Sequence, residues 1–315
     1  MRKISIIGGG NIGGSICFEL AKCSNLNLVL LDRKKDFVKG KILDISHAMT
    51  ILEIDTNLLG TSNFEDIEDS EVIVVTAGAT RKAGMTREDL VNTNAKIISD
   101  IAVQIKKFAP NSFVIVVTNP LDAMTYLMQK ITNFMPEKVV GMAGILDTAR
   151  FKFLLKKHFG YGISNISSIV LGGHGDQMVP MIDYTHIAGM QLNLLLSKLD
   201  FKNKFVEPTK NGGAEIIELM GTSAFYAPSM AVIQMINSYI FNQRKILPCS
   251  VKMRGEYELN DIYFGAPVVI GKNGVESIIE LPISEEIKKL IHHSSDIVSK
   301  TIEKIQTDYL SSYDF

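Results

Sequence analysis

The sequence predicts an α/β protein in which a doubly wound parallel sheet is followed by an α+β substrate-binding or catalytic domain. Three observations carry that expectation. Short runs rich in Ile and Val alternate with longer helical patterns through the first half of the chain, a glycine-rich turn directly follows the first run, and near Gly141-Met142-Ala143-Gly144 the rhythm gives way to long helices and hairpin signals. The apolar runs at residues 4–7, 27–31, 72–76, 113–118 and 138–141 each have the length of a strand buried on both faces, and candidate helices fill most gaps between them. The boundary falls where the rhythm ends, giving one unit of 1–142 and a second of 143–315. Within the second, Gly271-Lys272-Asn273-Gly274 reads as a tight hairpin turn. The polar stretch 199–213, with Pro208 and Gly212-Gly213, reads as a loop, and residues 284–310 as an amphipathic helix packed back on the body.

Composition bounds what such a protein can be. The 315 residues suffice for two domains at about 150 residues each. Lys and Arg total 33 against 34 for Asp and Glu, a net charge of −1, so no bulk positive charge invites a nucleic acid. Cys17, Cys23 and Cys249 are odd in number and form no CxxC pair, which reads as free thiols in a reducing compartment. The apolar run after Arg2-Lys3 stops at Gly8, too short for a signal peptide, and no apolar segment approaches the length of a membrane span. The expectation is a cytoplasmic protein without a membrane partner.

Gly8-Gly9-Gly10-Asn11-Ile12-Gly13 fits G-x-G-x-x-G in the context that gives the pattern meaning, after a strand and opening a helix that runs to about Cys23. The first glycine permits the tight turn, the second admits a pyrophosphate to the backbone, and the third lets helix and strand pack closely, with the helix N-terminus facing the phosphates. A second strand ends at Leu31-Asp32, and Asp32 stands roughly 20 residues past the third glycine, where a carboxylate accepts the adenine ribose hydroxyls. The same charge repels a 2′-phosphate, which favours NAD over NADP even with Arg33 alongside. This is the Rossmann arrangement.

Gly172-Gly173-His174-Gly175-Asp176 sets a single histidine among small and polar residues after a strand-like run, where an imidazole can project into a closely approached site. Histidine suits acid–base work near neutral pH and needs a partner to fix its tautomer. Asp147, three residues before Arg150, is one candidate; a helix cap with a surface ion pair to Arg150 is the other reading of the same spacing. Arg81 and Arg87 lie in the segment leaving the 72–76 strand, where ligands of open α/β sheets sit, although a solvated basic loop has the same composition. Thr86-x-x-Asp89 resembles a capping box that would start a helix at Arg87. Asn119-Pro120 marks a turn whose amide reaches the lip of the sheet. His292-His293 reads as a solvated helix face and the fourteen methionines as core filler.

Taken together these segments resemble the lactate and malate dehydrogenase family, most closely its malate dehydrogenases of the lactate-dehydrogenase-like type, over essentially the whole chain. The resemblance rests on the Gly8 to Gly13 run, Thr76-Ala77-Gly78 with Arg81-Lys82-Ala83-Gly84-Met85-Thr86-Arg87, Val117-Thr118-Asn119-Pro120-Leu121-Asp122, Leu146-Asp147-Thr148-Ala149-Arg150-Phe151 and Gly172-Gly173-His174-Gly175-Asp176. It implies an enzyme that interconverts malate and oxaloacetate with NAD and without a metal. In that reading His174 exchanges the hydroxyl proton, Asp147 holds its ring, Arg87 polarises the carbonyl, Arg150 forks the C1 carboxylate and Asn119 orients the substrate. The resemblance also implies that Gly8, Gly10, Asn11, Ile12, Gly13 and Asp32 hold the cofactor, that Asn94, Val117 and Asn119 line its nicotinamide, and that the peptide before Pro120 is cis. Arg81 stands where lactate dehydrogenases commonly carry Gln, which implies a second substrate carboxylate, because a guanidinium facing a methyl group would be left unpaired. A homo-oligomer, dimer or tetramer, is also implied. Two departures stand out: Ala83 replaces a common Pro, and Leu219-Met220-Gly221-Thr222-Ser223-Ala224 differs from the usual run, leaving Thr222 as a weaker candidate.

Overall fold

The computed structural model describes residues 1–79, 86–196 and 201–309. The first half runs β1 (Arg2–Ile7), α1 (Asn11–Ala21), β2 (Leu26–Leu31), α2 (Lys35–Ile51), β3 (Asn57–Thr61), β4 (Val72–Val75), α3 (Arg87–Phe108), β5 (Phe113–Val116), α4 (Leu121–Thr132) and β6 (Val139–Gly141). These six strands pair in parallel in the order β3-β2-β1-β4-β5-β6. Helices cover both faces, so Val72, Ile73, Val74 and Val75 are all fully buried, which explains why the strand reads as an unbroken apolar run. From the neighbouring strands β1 and β4 the chain proceeds to opposite flanks of the sheet, and their carboxyl ends part to leave the crevice in which such sheets bind ligands.

One strand of the first half has no counterpart in the sequence reading. Strand β3 lies at the sheet edge, half exposed, and Gly60 interrupts its apolar pattern. That glycine is required by packing, since a Cβ there would stand 2.9 Å from the Val38 carbonyl oxygen of α2.

In the second half α5 (Gly144–Phe159) precedes five two-residue strands: β7 (Ile166–Ser167), β8 (Val170–Leu171), β9 (Val179–Pro180), β10 (His186–Ile187) and β11 (Met190–Gln191). Then follow α6 (Glu207–Met220), α7 (Tyr226–Ile240), β12 (Lys245–Arg254), β13 (Asn260–Gly271), β14 (Gly274–Ile278) and α8 (Glu285–Asp308). Strand β12 joins the large sheet antiparallel to β6 through Ser250 and Gly141, and β13 and β14 extend it to nine strands. Gly271 pairs with Gly274 across the two-residue turn anticipated from the sequence. One buried core runs through both halves and includes Val140, Met142, Val232, Tyr263 and Ile302. A stacked pair, Phe113 on β5 and Tyr239 on α7 with centroids 4.6 Å apart, ties them together.

The loop expected at 199–213 is not what the structure shows, although residues 197–200 of that stretch lie outside the described set. Lys202–Val206 forms a wide helical turn that continues into α6, with Pro208 in its first turn. A proline there needs no N–H partner, and the widened turn before it relieves the clash of its ring with the preceding turn. Buried Phe201 and Phe205 supply the drive, Phe201 meeting Phe151 of α5 edge-on at 5.7 Å. The closing helix forms as expected, capped by Ser284, whose hydroxyl accepts the Ile287 N–H at 3.3 Å. Among the described residues no helix is long and apolar enough to cross a membrane.

Candidate active site

The glycine turn between β1 and α1 has the geometry its sequence demands. Gly8 has φ +115°, and a Cβ there would press within 2.6 Å of the Ala77 nitrogen at the end of β4. A Cβ on Gly13 would collide with the Gly8 carbonyl oxygen, so the third glycine brings helix and strand together. Gly10 differs: nothing lies within 4 Å of where its Cβ would be, and it is exposed with Asn11 at the start of α1. That leaves open space before the free N–H groups of a helix N-terminus, which a pyrophosphate fits. Asp32, at the end of β2, accepts the Gly9 N–H at 2.8 Å through Oδ2 and the Lys34 N–H at 2.9 Å through Oδ1. Its carboxylate is thereby fixed beside the turn. Two supports escaped the sequence reading. Lys41 of α2 donates to the Gly10 carbonyl at 2.8 Å, and Ser229 of α7 donates to the Ile12 carbonyl at 3.2 Å, so the second half braces the turn. Burial pulls the Lys41 pKa below the usual lysine value, against the pull of Asp32 and Cys17.

His174, Asp147 and Arg150 come together at the start of α5. Asp147 sits in its first turn at 2% exposure and touches two side chains at once: Oδ2 lies 2.9 Å from His174 Nδ1, and Oδ1 lies 3.2 Å from Arg150 Nη1. This removes the surface ion-pair reading, for Asp147 is buried and Arg150 nearly so. Burial opposes the charged imidazole, but the charge and hydrogen bond of Asp147, helped by Asp122, outweigh it and hold the His174 pKa above the ordinary histidine value. Arg150 Nε is buried without a hydrogen-bond partner among the described residues, leaving a fork with unused donors. Helix α6 passes directly over it: a Cβ on Gly213 would stand 3.3 Å from Arg150 Nη2 and one on Gly212 would stand 3.4 Å from Arg150 Cδ. That glycine pair, taken from sequence for a loop signal, makes room for the guanidinium.

Between the two centres lie the ends of β4 and β5. Asn94 of α3, 1% exposed, accepts the Ala79 N–H at 2.7 Å and donates to the carbonyls of Ala79 at 3.2 Å and Asn119 at 2.7 Å. Its amide therefore fastens the two strand ends to each other. Thr118 donates to the Ala77 carbonyl at 2.7 Å, Val117 is buried beneath, Asn119 is exposed at the lip, and the Asn119–Pro120 peptide is cis. The Thr86–Asp89 capping box forms and α3 begins at Arg87. Arg81 and Ala83 fall outside the described residues, as does the side chain of Arg87. Thr222 is half-buried between α6 and α7. Among the described residues no group of three His, Cys, Asp or Glu side chains could hold a metal ion.

The chain matches two family models: residues 2–141 match the NAD binding domain of lactate/malate dehydrogenase, and residues 145–308 its alpha/beta C-terminal domain. It is 45% identical over 311 residues to a malate dehydrogenase of Ehrlichia canis (strain Jake), covering 96% of this chain and 99% of that one. Among solved structures, a malate dehydrogenase of Cryptosporidium parvum superposes with a TM-score of 0.93 at 37% identity, over 98% of this chain and 100% of that one. A lactate dehydrogenase of the same organism, complexed with lactic acid and nicotinamide adenine dinucleotide, superposes equally well, TM-score 0.93 at 35% identity over 97% and 98% of the two chains. The backbone is thus shared by both activities, and the choice of substrate rests on side chains.

Proposed function

The chain belongs to the lactate/malate dehydrogenase family, and from that premise we propose that it is an NAD-dependent malate dehydrogenase that reversibly interconverts (S)-malate and oxaloacetate. The observation that carries the proposal is the buried chain His174–Asp147–Arg150, which joins a proton-transfer group to a carboxylate-binding fork through one acid.

With Asp147 accepting at Nδ1, the neutral ring carries its proton there and presents Nε2 as a base. In malate oxidation Nε2 takes the C2 hydroxyl proton, and Asp147 stabilises the resulting imidazolium. In the reverse direction the imidazolium returns that proton to the developing alkoxide of oxaloacetate. Arg150 has donors left over after Asp147 and receives the C1 carboxylate as a bidentate fork. Arg87 polarises the carbonyl, Asn119 orients the substrate from the lip of β5, and Arg81 pairs with the second carboxylate. NAD, when bound, exchanges the hydride of the substrate C2 carbon. Gly8, Gly10, Asn11, Ile12 and Gly13 hold its pyrophosphate, Asp32 its adenine ribose, and Asn94, Val117 and Asn119 the wall beside its nicotinamide. Residues 1–142 form the cofactor-binding unit, which also lends Arg81, Arg87 and Asn119 to the substrate, and residues 143–315 form the substrate-binding and catalytic unit with His174, Asp147 and Arg150, in a cytoplasmic dimer or tetramer.

The curated relatives named malate dehydrogenase support this substrate, as does Arg81, which has no counter-charge to meet in pyruvate. NADH oxidation with oxaloacetate and with pyruvate, on the parent and on Arg81→Gln, tests it. The parent should prefer oxaloacetate strongly, and the variant should lose or invert that preference; a parent that prefers pyruvate would make it a lactate dehydrogenase.

A further inference from the structure

Asp122 is a buried acid that the proton chemistry above leaves unused. It stands in the first turn of α4 at 5% exposure, and both its oxygens are engaged: Oδ2 accepts the backbone N–H of His174 at 3.0 Å, and Oδ1 accepts the Ser250 hydroxyl at 2.6 Å. Three distant parts of the chain therefore meet on one carboxyl: α4 of the first half, β12 of the antiparallel extension, and the glycine loop bearing His174. One peptide earlier, Gly173 donates to Ser294 Oγ of α8 at 2.9 Å, and a Cβ on Gly173 would stand 2.7 Å from Val298. That loop is conformationally permissive, with Gly172 at φ +95° and Gly175 at φ +120°. Its own backbone does not fix where an imidazole points, so anchors from outside must do so.

Resting on the reading of His174 as the acid–base residue, we propose that Asp122 is its positioning residue, an anionic clamp on the His174 peptide that seats the imidazole against Asp147 and places a second negative charge behind it. The charged groups facing His174 among the described residues are Asp147 and Arg150 of α5 and Asp122 of α4, while β12 and α8 contribute the neutral hydroxyls of Ser250 and Ser294. Burial holds the Asp122 carboxyl above the usual carboxylate range and the nearby Asp147 charge adds to the rise, while the Ser250 hydroxyl, the His174 N–H and the imidazole charge work against it. The positive end of α4 acts in the same direction as those three. Donors on both oxygens favour the charged form of this carboxyl, next to a histidine that must gain a charge.

Asp122→Asn separates the two roles. The amide retains both contacts, its oxygen accepting the His174 N–H and its nitrogen donating to Ser250 Oγ, and only the charge is lost. In oxaloacetate reduction this variant should keep the parent kcat at low pH, but the alkaline limb of its kcat/KM profile should move to lower pH, leaving it about threefold slower there. Asp122→Ala also removes the clamp and should lower kcat by about tenfold or more while NADH affinity, read by fluorescence, is unchanged. A D122N profile that superposes on the parent's overturns the proposal, as does a D122A enzyme turning over at the parent rate. If D122A does not fold, which absent NADH binding would reveal, the D122N profile decides alone. A parent inactive on oxaloacetate and on pyruvate alike would instead overturn the acid–base reading on which the proposal rests.

Discussion

Replacing Asp147 by Asn probes the centre of the site with almost no change of shape. Asp147 makes two charge-assisted contacts, 2.9 Å to His174 and 3.2 Å to Arg150, in a position that is 2% exposed and therefore poorly screened. A hydrogen bond to a charged partner contributes about 1.5–3 kcal/mol. If only the His174 contact bears on the transition state, its loss lowers kcat by about 10- to 150-fold. In malate oxidation the effect is concentrated in kcat because imidazolium character develops along that direction of the reaction, whereas the Arg150 contact acts on substrate binding and adds a rise in KM. Asn can also turn its NH2 toward Nδ1, favouring the tautomer with its proton on Nε2, which cannot accept the malate hydroxyl proton. Steady-state NADH oxidation by oxaloacetate and NAD reduction by malate, each against pH, separate these effects. A D147N enzyme within about twofold of the parent in kcat, with the same pH profile, would refute the reasoning.

Other outcomes follow from the same geometry. The His174 pKa is raised, with burial opposed and outweighed by Asp147. Oxaloacetate reduction, which uses the protonated ring, should therefore fall as pH rises through that raised value, and malate oxidation should rise over the same interval. The sign for stability is the same: the protonated histidine stabilises the fold fully below its ordinary pKa near about 6.5, and that contribution is lost as pH rises through the folded-state value, measurable as Tm against pH. Gly213→Ala puts a methyl 3.3 Å from Arg150 Nη2. The KM for oxaloacetate should rise severalfold with NADH affinity unchanged, while Tm should hold or increase, since alanine is better than glycine in a helix by about 1 kcal/mol.

Much of this architecture is legible in the sequence because it is written in local patterns. The buried parallel strands betray themselves as unbroken apolar runs, and the dinucleotide turn as a glycine run of which Gly8 and Gly13 stand where a Cβ would meet backbone. What escaped has physical reasons. Strand β3 is an edge strand in which the close approach of α2 puts a glycine at position 60, a contact that leaves no periodic trace. In α6, Pro208 and Gly212-Gly213 look like loop chemistry, yet the proline falls in a first turn and the glycines face Arg150, more than 60 residues away in the chain. His174 was recognisable from its glycine-flanked loop, but its link to Asp147 spans 27 residues and the one to Asp122 spans 52, and no spacing rule covers such distances. Asn94 was expected beside the nicotinamide; what the structure shows of it is an amide that fastens the ends of β4 and β5 together.

The central claim is that His174 carries the proton of an NAD-linked oxidation at a hydroxyl carbon, and His174→Asn tests it most directly. Asparagine occupies a similar volume and leaves the backbone N–H bound to Asp122 in place. With NADH binding confirmed by fluorescence, oxaloacetate-dependent NADH oxidation should fall by about 100-fold or more, the loss expected when a general acid–base group is removed. Turnover at the parent rate by a folded, NADH-binding H174N enzyme would contradict the account and place the proton with another group.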